Sequence, residues 1–203
     1  MHAKNVALIL VDLQVDFMPM GMLPVAEGDQ VVPIANALMP AYHTVVATQD
    51  WHPANHGSFA ANHPWRKPGQ VIDLHGLPQI LWPIHCVQDT WGSEFVANLD
   101  TDRITKVFQK GTDPEIDSYS GFYDNGHLKS TGMAEWLKEQ GIEEVHVLGL
   151  AADFCVKFTV LDALTEGFKA TLIREATRGV NLDAGDVERA VEEMREAGAE
   201  ILV

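Results

Sequence analysis

Positive charge is in short supply: 14 Lys and Arg stand against 29 Asp and Glu, a formal net charge of −15. An acidic surface repels phosphate backbones and anionic headgroups, so neither nucleic acid nor membrane is an expected partner. Cysteine is scarcer still. Cys86 and Cys155 are the only two in 203 residues, too few for a disulfide framework, and a reducing cytoplasmic setting is expected. Long apolar runs are missing as well. The N-terminal one stops at Asp12, so neither a secretory leader nor a membrane span is expected. No repeat, linker or low-complexity segment divides the chain, and one domain over residues 1–203 is expected. Gly121, Gly126 and Gly132 lack the preceding strand of a phosphate-binding loop, which removes a nucleotide site from the expectations.

What is present is a regular alternation. Residues 5–13 are apolar and β-branched until Asp12 interrupts them, the pattern of a central strand buried on both faces. Residues 30–42 carry apolar side chains near helical spacing, despite Pro33, and residues 43–48 make a second strand ending before Asp50. Residues 51–88 are rich in Pro, His, Asn and Trp and show little periodicity. A loop this long in a compact domain is usually functional, and Trp51, Trp65 and Trp82 are candidate anchors for it. Residues 103–109 form a third strand that meets Lys110, and residues 113–125 a second polar and aromatic loop. A helix over 131–140, a strand over 145–150, a helix from Cys155 to about Glu166, a strand over 168–174, a helix over 184–197 and a short strand over 200–203 complete the chain. Strand and helix in alternation predict an α/β fold: a three-layer, doubly wound, mainly parallel sheet of about six strands with helices on both faces.

Asp12, Asp50, Lys110 and Cys155 each fall at or just beyond the C-terminal end of a predicted strand. That edge is where open α/β sheets place their sites. Cys155 follows the small residues Gly149, Ala151 and Ala152, with Asp153 at the expected N-cap. A thiol in the first turn of a helix faces the positive dipole end and free N–H groups, and both favour the thiolate. Alone, such a cysteine is as readily a small buried hydrophobe. A lysine at a strand end is ordinarily a solvated charge. Lys110 gains chemical meaning only if it meets Asp12 and Cys155, where it would stabilise a thiolate and an oxyanion. Asp12, partly desolvated at the end of an apolar strand, suits a proton carrier, though it can also merely cap a turn.

Asp50-Trp51-His52 places a carboxylate and an imidazole two residues apart, on one side of an extended chain. A third ligand can come from His56, His63, His75 or His85. Two imidazoles and one carboxylate suit one divalent metal ion, Zn or Fe foremost, with Mn also compatible. Asp-x-His by itself is equally an ordinary loop hydrogen bond. Phe17, Trp82, Tyr119 and Phe122 lie in or beside the loops; singly they read as loop packing, together as the flat slot that a planar ring requires.

D-L-Q-V-D-F from Asp12, Q-D-W-H-P-A-N-H-G-S-F from Gln49, W-P-I-H-C from Trp82, K-G at Lys110 and A-A-D-F-C-V from Ala151 together resemble the bacterial nicotinamidases and pyrazinamidases, members of the isochorismatase-like hydrolases. Order and spacing match over essentially the whole chain. The resemblance implies hydrolysis of nicotinamide to nicotinate and ammonia through a cysteine thioester, in the setting of NAD salvage, with pyrazinamide as a further substrate. It implies Cys155 as nucleophile, Asp12 as general base and then acid, and Lys110 as third member of the triad. Asp50, His52 and His85 would hold the metal, His56 would be a further ligand in some members, and the metal would take the ring nitrogen of the substrate. The peptide bond before Ala151 is expected to be cis, with the Ala151 and Cys155 N–H groups forming the oxyanion hole. Phe17 and Trp82 would sandwich the pyridine ring, Tyr119 would close the pocket and Leu23 would line it. Val15 stands where many members have asparagine, and its side chain is expected to face away from Asp12. Two other readings use the same residues. One keeps the triad for a carbamoyl or ureido substrate and needs no metal; the other is a non-catalytic metal-binding module. Assembly into a homo-oligomer is left open.

Overall fold

The computed structural model describes residues 2–203. Its core is a six-stranded, all-parallel sheet built from β1 (Val6–Val11), β2 (Thr44–Asp50), β5 (Lys106–Lys110), β6 (Glu144–Leu150), β7 (Lys169–Arg178) and β8 (Glu200–Leu202), ordered β5-β2-β1-β6-β7-β8. Four helices, α1 (Val31–Leu38), α2 (Met133–Glu139), α3 (Cys155–Thr165) and α4 (Asp186–Glu196), cover it. Successive side chains of a strand point to opposite faces. Ala7, Ile9 and Val11 therefore enter the core shared with α2, α3 and α4, while Leu8 and Leu10 enter the one shared with α1. Burial on both faces explains why β1 reads as an uninterrupted apolar run.

The order of the strands locates the site. From β1 the chain winds outward through β2 to β5, then returns to the other side of β1 and winds outward again through β6, β7 and β8. The switch point lies between β1 and β6, and the chain leaves these strands at Asp12 and just ahead of Cys155. Gly149 shapes this end of β6. Its φ is +122°, and a Cβ there would lie 2.1 Å from the Val11 carbonyl oxygen. Only glycine permits so close an approach. The β6–β7 register shifts between Val147 and Gly149, after which pairing resumes at Thr177 and Arg178. That second stretch of pairing carries β7 beyond the predicted end at residue 174.

One element departs from expectation. The segment read as a single long loop contains an antiparallel hairpin, β3 (Val71–Leu74) and β4 (Leu77–Ile80). Its two-residue turn is His75-Gly76, both with positive φ, 52° and 90°, the combination that matches the twist of a tight hairpin. Each strand has only four residues, and Pro78 within the second masks the alternation. Among the described residues, no helix is long and apolar enough to cross a membrane.

Candidate active site

The parallel register of β2 and β5 pairs Asp50 with Lys110 at the ends of the two strands. Lys110 is fully buried, and its ammonium is surrounded. Nζ lies 2.6 Å from Asp50 Oδ1, 2.9 Å from Asp12 Oδ2, 3.0 Å from the Ser118 carbonyl and 3.4 Å from Cys155 Sγ. A buried ammonium is costly unless neighbouring charges compensate it. Desolvation works against its charge here, but Asp12 and Asp50 outweigh that and hold Lys110 well above the usual lysine range. It is therefore a fixed cation between two carboxylates and a sulfur.

Asp12 has a left-handed backbone with φ 49°, uncommon for a residue other than glycine and typical of strained functional positions. Its Oδ1 accepts a 2.6 Å hydrogen bond from the Thr48 hydroxyl. Burial pushes its carboxyl above the usual carboxylate range, with Lys110 pulling the other way. Cys155 opens α3 as the sequence predicts, but its electrostatics reverse the expectation. Burial drives the thiol well above the ordinary cysteine value, and Lys110 only partly offsets this. A helix terminus and one cation do not overcome complete desolvation, so the resting form is the thiol and a base must remove its proton. Asp153 is not the N-cap either. Phe154 occupies that position, and the Asp153 carboxylate instead accepts the Val180 and Asn181 N–H groups at 2.9 and 2.7 Å. It thereby ties the loop after β7 to the start of α3. The Leu150–Ala151 peptide is cis, and Ala151 lines the same cavity as Cys155.

Beside this group Asp50, His52 and His85 present ligand atoms that all lie within 4.8 Å of one another. Asp50 Oδ2 is 3.4 Å from His52 Nε2 and 3.6 Å from His85 Nε2. The other ring nitrogen of each histidine is already committed. His52 Nδ1 donates to the Gly111 carbonyl and His85 Nδ1 to the Pro83 carbonyl, each at 2.8 Å. Both Nε2 atoms are thus left with lone pairs aimed at one carboxylate oxygen, the arrangement of a metal-ligating histidine with its outer partner. Lys110, together with His52 and hydrogen bonds, outweighs burial and keeps Asp50 well below the usual carboxylate range, hence ionised. Two imidazoles and an ionised carboxylate fit a divalent ion. Gly111 makes room for this. Its φ is +65°, and a Cβ there would come within 2.3 Å of His52 Cε1. Gln14 holds the backbone of Asp50 from both sides, accepting its N–H and donating to its carbonyl at 2.8 Å each.

His56 also lies in the cluster, its ring 4.3 Å from that of His52 and its Nδ1 2.7 Å from the Ser58 hydroxyl. Its Nε2 is buried without a hydrogen-bond partner. Desolvation lowers its pKa to about 4, so it is neutral and free to ligate. His52, His56 and Asp117 form a second close triplet. The other histidines considered as ligands lie elsewhere: His63 binds the Gly57 carbonyl at 2.7 Å, and His75 is exposed at the hairpin turn.

One cavity joins both groups. Phe17, Leu23, Trp82 and Tyr119 line it together with Cys155, Asp50, His52 and His85. Tyr119 is held by the Trp82 Nε1–H at 3.2 Å and by the Gln79 amide of β4 at 3.3 Å. Phe122 is not part of the cavity. It is fully buried in the core on the α2 and α3 side, 6.1 Å from Phe168. Three lining residues were missed: Phe154, Val180 and Asp117. Phe154 directly precedes Cys155, so its position was readable. Val180 follows β7 and Asp117 lies within an irregular loop, where no local pattern points to the cavity. Val15 packs half-buried against the core on the α1 side.

The comparisons with known proteins agree with this geometry. The isochorismatase domain model matches residues 6–202. The chain is 50% identical to the nicotinamidase of Escherichia coli over 200 residues, covering 95% of this chain and 92% of that one. A solved structure of an Acinetobacter baumanii nicotinamidase and pyrazinamidase superposes with a TM-score of 0.97 at 43% identity, covering 100% of this chain and 97% of that one. A Pyrococcus horikoshii pyrazinamidase solved in complex with zinc superposes with a TM-score of 0.78 at 39% identity, covering 98% of each chain. Sequence kinship over nearly the whole length, on a shared fold, has one reading: the chain belongs to the nicotinamidases of the isochorismatase-like hydrolases.

Proposed function

We propose that this chain, as a single isochorismatase-like domain over residues 1–203, hydrolyses nicotinamide to nicotinate and ammonia, acts also on pyrazinamide, and works in the cytoplasm. The observation that supports the reading is one cavity lined by Cys155 together with the Asp50, His52 and His85 donor set. Those three residues would hold the divalent ion, with His56 as a further ligand. The ion, Zn or Fe, would supply a Lewis-acid anchor for the ring nitrogen of the substrate. Phe17 and Trp82 would flank the ring, with Leu23 and Tyr119 closing the pocket around it. A substrate held at both ends is a reactant already brought to its attack position.

Asp12 accepts the Cys155 proton, and Sγ bonds to the amide carbon. Charge passes to the carbonyl oxygen, which the Ala151 and Cys155 N–H groups would receive; the first N–H groups of a helix have no intrahelical acceptor. Lys110 keeps the sulfur and both carboxylates electrostatically balanced throughout. Asp12 returns the proton to the departing nitrogen, which leaves as ammonia, and a thioester remains. A water molecule then gives a proton to Asp12 while its oxygen attacks the thioester carbon. Nicotinic acid leaves and ionises to nicotinate, its proton passing to solvent, and the proton held by Asp12 returns to Sγ. The raised Asp12 carboxyl suits this two-way traffic.

Ammonia release from nicotinamide, pyrazinamide and a panel of carbamoyl and ureido compounds, with and without chelator, tests the reading. Turnover of the pyridine and pyrazine amides that chelation abolishes and added metal restores is the expected result. Chelator-insensitive turnover of a ureido compound would replace it.

A further inference from the structure

The segment after β1 carries a second carboxylate, Asp16, that the catalytic scheme does not use. It is buried, and no cation pairs with it among the described residues. A buried carboxylate without a counter-charge is destabilising unless N–H groups satisfy it. Asp16 is satisfied by main chain alone: Oδ2 accepts the Cys86 N–H at 2.7 Å and Oδ1 the Met22 N–H at 3.3 Å. Cys86 directly follows His85 and sits in the left-handed region with φ 45°, costing about 1–2 kcal/mol for a residue with a side chain. Something must hold that turn, and the contact on its N–H is this carboxylate. The 91–93 turn closes on the same group. A Cβ at Gly92 would lie 2.1 Å from Asp16 Oδ2, so the carboxylate is enclosed on that side too. At its other end, the Asp16 carbonyl accepts the Leu23 N–H at 3.0 Å, and Phe17 is its immediate neighbour.

Resting on the metal site of the proposed function, we infer that Asp16 is a positioning residue that couples the two halves of the cavity. Its side chain sets the backbone from which His85 projects, and its main chain sets the Phe17 and Leu23 wall. It touches neither metal nor substrate. The effect reaches the site through the turn at Cys86, whose direction decides where His85 Nε2 points. Gln14, two residues earlier, does the equivalent for Asp50. The segment that follows β1, beginning at the proposed general base Asp12, thus also carries the two residues that hold the metal-ligand backbones.

The test uses the full chain stripped of metal, with zinc affinity measured by competition against a chromogenic chelator. Residue-resolved amide exchange is followed alongside. Asp16→Ser is expected to weaken zinc binding roughly 10–100-fold, the range for partners that orient ligands, and to expose the Cys86 amide to exchange in the metal-free protein. Asp16→Asn, which keeps an acceptor for Cys86 N–H, is expected to recover most of both, and it serves if the serine variant does not fold. Wild-type zinc affinity together with a protected Cys86 amide in Asp16→Ser would overturn the inference. Absence of zinc binding by the unaltered protein would overturn the metal reading instead, while the Cys86 amide still reports on what Asp16 holds.

Discussion

The two halves of the cavity are built in different ways. Asp12, Lys110 and Cys155 stand on regular strand and helix ends, and their spacing follows from sheet register: β2 pairs with β5 so that Asp50 and Lys110 are opposite, and β1 pairs with β6. The metal-type half draws only Asp50 from a strand. His52 and His85 stand on irregular chain, each oriented by a single carbonyl, Gly111 and Pro83. Register is enforced by every hydrogen bond of a ladder, whereas a loop ligand depends on a few contacts. The nucleophilic half should therefore be sensitive to chemistry at its own atoms, and the metal half to small backbone changes around it.

Cys155→Ala tests the first half most severely. Loss of the nucleophile is expected to lower kcat by ~10⁴-fold or more while metal content, read by elemental analysis, stays at the wild-type level. Substantial residual amidase activity would remove Cys155 from that role. Asp12→Asn should cost on the order of 10²–10⁴-fold and abolish the acid limb of the pH profile. Burial raises the Asp12 carboxyl, and the base form exists only above its pKa. In the unaltered enzyme, kcat/KM should therefore fall as pH drops, with a midpoint above the ordinary carboxylate value. A midpoint at or below that value would assign the proton traffic elsewhere.

Asp50→Ala strikes both halves, because Asp50 faces the two histidines through Oδ2 and Lys110 through Oδ1. Metal stoichiometry should collapse, and leaving Lys110 short of a partner should lower stability by ~3–5 kcal/mol, visible in chemical denaturation. Normal metal binding by this variant would show the ligand set to be wrong. Gly111→Ala separates the halves. The added Cβ meets the His52 ring, so metal affinity should fall roughly 10-fold, while alkylation of Cys155 by iodoacetamide in the metal-free protein keeps its wild-type rate. Phe122→Leu is expected to do least. It should cost less than ~1.5 kcal/mol of stability and leave KM unchanged, since Phe122 lies in the core; a shifted KM would return it to the cavity wall.

Much of this is legible in the amino-acid sequence. The α/β alternation follows from apolar runs such as residues 6–11 that end at charged positions. The gathering of Asp12, Asp50, Lys110 and Cys155 follows because parallel strands bring their C-terminal ends to one edge. The hairpin at 71–80 was hidden by strands of four residues and a proline. Phe122 was misplaced because a loop residue can turn inward as easily as toward a cavity, and local sequence carries no sign of which.

What local sequence determined is the kind of group at each position: a thiol at a helix start, a carboxylate at a strand end, a lysine opposite it and histidines in a long loop. What the tertiary structure alone decided is the state of those groups. The helix start at Cys155 taken alone favours a thiolate, but enclosure of the sulfur by the sheet edge raises the thiol well above its ordinary value. Lys110, which taken alone reads as a solvated charge, is the buried cation that balances two carboxylates. Desolvation and pairing depend on every neighbour that the fold assembles, and the partners that matter most to Lys110 stand far off in the chain, Cys155 at 45 residues and Asp50 at 60. For that reason protonation, unlike residue type or strand order, could be settled only once the chain had folded.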